Sequence, residues 1–329
     1  MQTVFFTLCS NNYLAHAKTL GDSLKRSNPE VHFIVGLVDK KHPEIDYDSF
    51  KPFEILCFDE IGYSAFDEMI SMYDIVEFNT AVKPFYFEYL FNRYGKDSVV
   101  YYSDPDIIFY TSISKLNEIL TTHNIVITPH LLEAQHQPSL VETSVLNTGL
   151  YNLGFIGIKN SDESSRFLNW WQERLKKYCF VDKAHGLYVD QIWINFVPIM
   201  FKGVCVLSDP GYNMAWWNIL ERRLIKEGNS YYVNDHGQPL VFFHFSGFKP
   251  GQMTHVGRID DGRFTFKERP DLTDIFNEYA AFLSANNYAR YKVLSPLINF
   301  AEDRKGLKKR IGKSLKFRSN AFVKKYFGV

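Results

Sequence analysis

Val99-Val100-Tyr101-Tyr102-Ser103-Asp104-Pro105-Asp106 is the stretch on which the fold turns. Residues 99–102 run apolar or aromatic without alternation before Ser103, the pattern of a short strand buried on both faces of a parallel sheet. The strand then delivers two carboxylates two residues apart, which in extended chain point to the same side. Pro105 biases Asp104 away from helical geometry, in keeping with that extension. At the C-terminal end of a buried parallel strand, both would project into the crevice where open α/β sheets bind ligands. Carboxylates facing one point repel each other unless a cation joins them, and Mg²⁺ or Mn²⁺ is the natural one, shared with substrate phosphates. Read alone, the same residues also fit a polar turn after a strand.

The flanks supply the rest of a βαβ alternation. Val4–Cys9 reads as a first strand and Leu14–Ser27 as a helix with Leu14, Ala17, Leu20 and Leu24 on one face. Strands are expected at Val31–Val38 and Phe53–Phe58. A helix is expected over Val76–Tyr94, stopped by Gly95. Beyond the carboxylates come a helix over Ser112–Thr122 and a strand at Ile125–Thr128. His130–Ser144 reads as a loop with one helical turn. Phe155–Ile158, Val204–Leu207 and Leu240–His244 read as strands. Ser164–Tyr178, Val189–Phe196 and Asp274–Ala285 read as helices. The alternation predicts an α/β, Rossmann-like, mostly parallel central sheet with flanking helices. No repeat or Pro/Gly/Ser-rich linker interrupts it, so 1–290 is expected to be one domain and 291–329 a C-terminal helical extension.

Composition narrows the classes. Formal net charge is zero, but residues 304–329 carry ten Lys and Arg and no acid, leaving 27 basic against 37 acidic side chains elsewhere. Leu307, Ile311 and Leu315 recur every four residues in that tail, and Phe322 and Tyr326 extend the stripe. A basic amphipathic helix on an anionic membrane surface is the reading; a solvated terminus, or a helix docked on the acidic body, competes with it. Nucleic acid is not an expected partner, since no other basic surface is evident. Cys9, Cys57, Cys179 and Cys205 form no CxxC pair, which suits a reducing compartment. The first eight residues lack a basic start and a cleavage site, and no apolar run nears the roughly 20 residues needed to span a bilayer. The expectation is a cytoplasmic protein, peripheral on the inner membrane face if the tail binds there. GxGxxG and GxxxxGK[ST] are both missing, which argues against a nicotinamide dehydrogenase and a P-loop enzyme.

A second segment joins the carboxylates: Phe242-Phe243-His244-Phe245-Ser246-Gly247-Phe248-Lys249-Pro250. His244 could complete a metal shell, Gly247 permits close backbone approach, and Lys249 could balance a diphosphate. A capped strand end with a core histidine explains His244 equally simply. Asp209–Asn218 holds Tyr212, Asn213, Trp216 and Trp217, residues that suit an acceptor sugar because rings cover apolar sugar faces and amides bond hydroxyls. A surface loop with buried tryptophans fits them as well.

In order from residue 3 to about 250, these segments resemble the retaining glycosyltransferases of family 8, with the glycogenin-type GT-A fold. Thr7-Leu8-Cys9-Ser10-Asn11-Asn12-Tyr13 and Leu20–Lys25 look like the family's opening strand, nucleobase loop and first helix. The resemblance therefore gives Thr7, Asn12 and Tyr13 to the nucleotide. Lys83 sits where the family has a basic residue ahead of the metal motif. Asp104 and Asp106 match its DxD ligands, and His244, Gly247 and Lys249 its final metal and diphosphate motif. Asn152 and Gly154 match its Asn-x-Gly segment at the donor sugar, with Asn147-Thr148-Gly149 as a rival. Asp190-Gln191 matches its catalytic pair beside the anomeric carbon. The chain departs from the family in Pro105, in having one residue between Gly247 and Lys249 where two are usual, and in Gly251 where a Trp is usual.

The resemblance implies a metal-dependent hexosyltransferase. It would take a sugar from a nucleotide-sugar, a UDP-sugar by family habit, to a glycan or lipid-linked acceptor with retention at the anomeric carbon. A sugar-nucleotide-forming nucleotidyltransferase and a non-catalytic nucleotide-sugar-binding module are the alternatives. The first would want a glycine-rich loop where Ser10-Asn11-Asn12 stands; the second would have been favoured by a lost carboxylate or histidine.

Overall fold

A computed structural model describes residues 2–134, 139–251, 254–256 and 264–300. Strands β1 (Gln2–Cys9), β2 (His32–Leu37), β3 (Glu54–Cys57), β4 (Ser98–Ser103), β5 (Ile107–Phe109), β6 (Ile125–Pro129) and β7 (Tyr151–Lys159) build the site's frame. They are followed by β8 (Val181–Asp182), β9 (Leu187–Tyr188), β10 (Val204–Val206), β11 (Leu224–Glu227), β12 (Ser230–Val233) and β13 (Phe242–His244). The helices are α1 (Leu14–Ser27), α2 (Ala65–Met72), α3 (Ile75–Ala81), α4 (Lys83–Tyr94), α5 (Ser114–Thr122), α6 (Leu140–Thr148), α7 (Asp162–Tyr178), α8 (Val197–Met200), α9 (Thr273–Ala285) and α10 (Tyr288–Tyr291).

Seven strands form the central sheet in the order β10-β6-β7-β4-β1-β2-β3. Pairings β1–β2, β1–β4, β2–β3 and β6–β10 are parallel, while β7 runs antiparallel between β4 and β6. The apolar runs follow from this burial on two sides. Along β1, Phe5 and Cys9 join one core with α1 and α9, and Val4, Phe6 and Leu8 join the other with α4 and α7. Each fully buried Phe, Val or Leu contributes roughly 1.5–3 kcal/mol, and a one-residue slip of β1 would exchange the two sets and lose the fit of each to its own core. Tyr101 and Tyr102 of β4 divide between the same two cores.

Two expectations need correction. The single helix over Val76–Tyr94 is in fact α3 and α4, joined at Val82, with Pro84 inside the first turn of α4. Proline has no amide hydrogen to donate and tolerates only a helix start. Of the loop with one helical turn expected over His130–Ser144, the last five residues belong to a longer helix, α6, begun by a capping box in which Ser139 Oγ accepts from Glu142 N and Glu142 accepts from Ser139 N. Helix α2 and the β11–β12 hairpin were not anticipated. The basic stripe of residues 304–329 lies outside the described residues. Among the described residues no helix is long and apolar enough to cross a membrane.

Candidate active site

The Asp104-Pro105-Asp106 turn leaves the sheet at the C-terminal end of β4 and is pinned from two directions. Asp104 N donates to Gly154 O of β7 (2.7 Å), and Phe245 N donates to Asp106 O (2.9 Å). Strand β5 then pairs antiparallel with β13, with Ile107 opposite His244. This register carries an imidazole from 138 residues downstream to the carboxylates. His244 Nε2 lies 3.0 Å from Asp106 Oδ1 and 3.7 Å from Asp104 Oδ2. One ligand atom from each of the three falls within 4.8 Å of the others. Two hard carboxylates and one imidazole are a fitting donor set for Mg²⁺ or Mn²⁺. The carboxylates are 32% and 21% exposed while His244 is 4% exposed, so a ligand would approach from the acid side.

The electrostatics are strongly coupled to the surroundings. Desolvation raises the pKa of Asp104, with Lys83 and His244 pulling against it. Asp106 is desolvated too, yet His244 holds it below the ordinary carboxylate value. Desolvation would lower His244, but Asp106 overrides this and raises it. Tyr102 donates its hydroxyl to Asp104 Oδ1 (2.6 Å), which aims that carboxylate.

His244 is tightly framed. Its Nδ1 stands 3.2 Å from Asn152 Oδ1, and Trp217 meets the ring edge to face at 5.2 Å. A Cβ on Gly154 would come within 2.8 Å of His244 Nδ1 and closer still to Cε1, so glycine is required there by the approach of the imidazole. Asn152 Nδ2 faces His130 Nε2 (3.3 Å) and Gln191 Oε1 (3.4 Å). Gln191 is itself held by backbone: Leu153 N donates to its Oε1 (3.1 Å), and its Nε2 donates to Thr148 O (2.9 Å).

Beneath this layer Lys83 and Asp190 make a buried ion pair, Nζ to Oδ2 2.5 Å. Lys83 also donates to Leu153 O (3.0 Å) and lies over the Tyr102 ring (4.1 Å). Burial raises the Asp190 pKa, and Lys83 opposes the shift. A cavity of 260 Å³ opens beside these groups, with His130, Thr148, Asn152, Gln191, Trp216 and Trp217 among its walls.

The structure thus brings together Asp104, Asp106 and His244, then Asn152, Gly154 and Gln191, and then Lys83 with Asp190. It does not bring every expected residue to the cavity. Tyr212 is packed against Phe242, and Asn213 is fully buried with its amide unpaired among the described residues. Of the expected acceptor group, Trp216 and Trp217 line the cavity. Lys249 is exposed, two residues past Gly247, whose φ is +77°. Thr7 is buried on β1, its hydroxyl unpaired among the described residues. Asn12 accepts from Ser10 Oγ (2.9 Å), and the exposed Tyr13 stacks on His16 at 4.6 Å. Among the wall residues that the sequence does not assign to the site are His130, Tyr188 and Lys183. Only His130 carried a signal, standing just past the end of β6, where sheet ligands gather.

No family model matches the chain. It is 24% identical over 286 residues to "Uncharacterized protein YfnF" of Bacillus subtilis (strain 168), covering 84% of this chain and 91% of that one. It is 25% identical over 249 residues to "Uncharacterized protein YfnD" of the same organism, covering 74% and 77%. Among solved structures it is similar to the glycosyltransferase GlyE of Streptococcus pneumoniae TIGR4, with TM-score 0.51 and 16% identity over 87% of this chain and 63% of that one. It is also similar to the WbbM bifunctional glycosyltransferase, with TM-score 0.50 and 14% identity over 85% and 50%. These likenesses establish the fold: α/β of the GT-A type, with the mostly parallel central sheet the sequence predicts.

Proposed function

We propose that this protein is a metal-dependent glycosyltransferase. It would move a hexose-type sugar from a nucleotide-sugar, with UDP the preferred nucleotide, to a glycan or lipid-linked acceptor with retention at the anomeric carbon. The observation that carries the reading is the convergence of Asp104, Asp106 and His244 within 4.8 Å at the ligand-binding edge of a GT-A-type sheet. The choice of UDP and the retention rest on the sequence resemblance to family 8.

The leaving group is a nucleoside diphosphate, so its developing charge must be neutralised. Mg²⁺ or Mn²⁺ held by Asp104, Asp106 and His244 supplies Lewis-acid chemistry there. Lys249, exposed at the end of the His244 segment, is assigned to the diphosphate as a second positive charge. Thr7, Asn12 and Tyr13 are assigned to the nucleotide, and Asn152 and Gly154 to the donor sugar. The anomeric carbon becomes oxocarbenium-like as its bond to diphosphate breaks. Asp190 and Gln191 are assigned to that step. Lys83 keeps the Asp190 carboxylate in place and compensates its burial. Trp216 and Trp217 offer ring faces to an acceptor sugar in the cavity beside them. The basic tail of 304–329 is assigned to an anionic membrane surface, which would bring the site to a membrane-borne acceptor.

The test is a panel of nucleotide sugars followed by slow hydrolysis, with and without Mn²⁺, which needs no acceptor. Release of UDP from one sugar nucleotide, only with metal, supports the reading. Pyrophosphate released from UTP would instead make the protein a nucleotidyltransferase.

A further inference from the structure

We infer that Asn152 is a positioning residue that fixes the tautomer of His244, and that its own orientation is set by the backbone through Gln191. The inference rests on the metal reading of the site and extends it inward.

Two backbone groups at the base of the network have hydrogen-bonding roles that cannot change. Leu153 N–H can only donate, so the Gln191 atom it meets at 3.1 Å is the carbonyl oxygen Oε1. Thr148 C=O can only accept, so the other end of that amide, 2.9 Å away, is Nε2. Gln191 therefore presents an acceptor to Asn152, and Asn152 must answer with Nδ2, at 3.4 Å. The second hydrogen on that nitrogen points at His130 Nε2 (3.3 Å), which must accept. The His130 proton then resides on Nδ1, which donates to Leu150 O (3.2 Å). With Nδ2 committed, the Asn152 oxygen faces His244 Nδ1 at 3.2 Å. That oxygen can only accept, so Nδ1 carries a hydrogen. The nitrogen left to supply a lone pair is Nε2, the one directed at Asp106 and Asp104.

The side chains of Asn152, Gln191, His130 and His244 are all buried, which strengthens the hydrogen bonds among them; only Leu150, at the outer end of the chain, is exposed. Trp217 at the ring edge and Gly154 beneath it keep His244 from turning over and exchanging its two nitrogens. Outer partners of this kind typically change metal affinity 10- to 100-fold.

Two measurements test the inference without a donor sugar. The first is a long-range ¹H–¹⁵N spectrum of wild-type protein with ¹⁵N-labelled histidine, loaded with Mg²⁺. The expected spectrum has His244 neutral with its proton on Nδ1; a proton on Nε2 overturns the inference. The second is Mn²⁺ affinity by electron paramagnetic resonance for wild type and Asn152→Leu, with circular dichroism as the check on folding. A folded Asn152→Leu should bind Mn²⁺ at least about 10-fold more weakly. Affinity within twofold of wild type overturns the relay while leaving the metal site standing. Wild type that binds no Mn²⁺ overturns both.

Discussion

Lys83 and Asp190 face each other at 2.5 Å with side chains 1% and 3% exposed, directly under the metal-ligand layer. Two charges removed from water this completely stay ionised only together, because each compensates the desolvation of the other. Lys83→Met should therefore destabilise the fold by about 3 kcal/mol or more, read as a lower midpoint in urea denaturation. Asp190→Asn keeps the shape but leaves Lys83 without its counter-charge, so it too should lose stability, and its kinetics are to be read on folded protein. Given its assignment to the transfer step, it should lower turnover more than donor affinity. Donor binding lost in calorimetry, with unchanged turnover at saturation, would move Asp190 to donor recognition.

Gly154 should tolerate no side chain. The methyl of Gly154→Ala would overlap His244, and relief by moving backbone or ring costs roughly 1–3 kcal/mol. The protein should stay folded at room temperature but bind Mn²⁺ more weakly than wild type. Unchanged metal affinity would mean that the His244 ring position does not matter to the site.

Acid should destabilise the protein through two buried histidines. Burial lowers the pKa of His16 and of His130 to about 4. Their folded values lie below the unfolded one of about 6.5, so each contributes stability that is complete above that pH. The contribution falls away as pH drops from about 6.5 toward 4, and its full size is on the order of 3 kcal/mol per histidine. Unfolding free energy measured from pH 7.5 to 4.5 should decline over this window, and His16→Gln should flatten the decline.

The tail assignment predicts a difference between two lengths of chain. The full protein should sediment with anionic liposomes, more weakly at high salt because screening shortens the attraction. The protein ending at Asp303 should not. Equal sedimentation of both, or no preference for anionic over neutral lipid, removes the membrane role.

Much of the frame could be read from sequence because its physics is local. The run Val99–Tyr102 is apolar or aromatic since both faces of β4 are covered, and Asp104-Pro105-Asp106 follows at the strand end, where open α/β sheets bind ligands. What sequence could not supply was register and partnership. That His244 stands opposite Ile107 is a pairing between distant segments, and periodicity carries no record of it. Lys83 and Asp190 were each singled out, but not as a pair, since nothing local joins a helix start to a turn 107 residues later. Helix α6 was legible in principle: Ser139 and Glu142 are a capping signal, but its weakly amphipathic residues gave no clear period. Tyr212 and Asn213 are ambiguous in sequence because aromatic and amide side chains serve a core as readily as a sugar; in the structure both are buried.

The most direct test of the account is donor turnover by the wild-type protein and by Asp106→Ala, each with Mn²⁺ and with excess EDTA. UDP release from a sugar nucleotide is the readout, and circular dichroism checks the fold. The account predicts release by wild type with Mn²⁺, its loss in EDTA, and a fall of at least about 100-fold in folded Asp106→Ala. Full activity of folded Asp106→Ala in excess EDTA would contradict it.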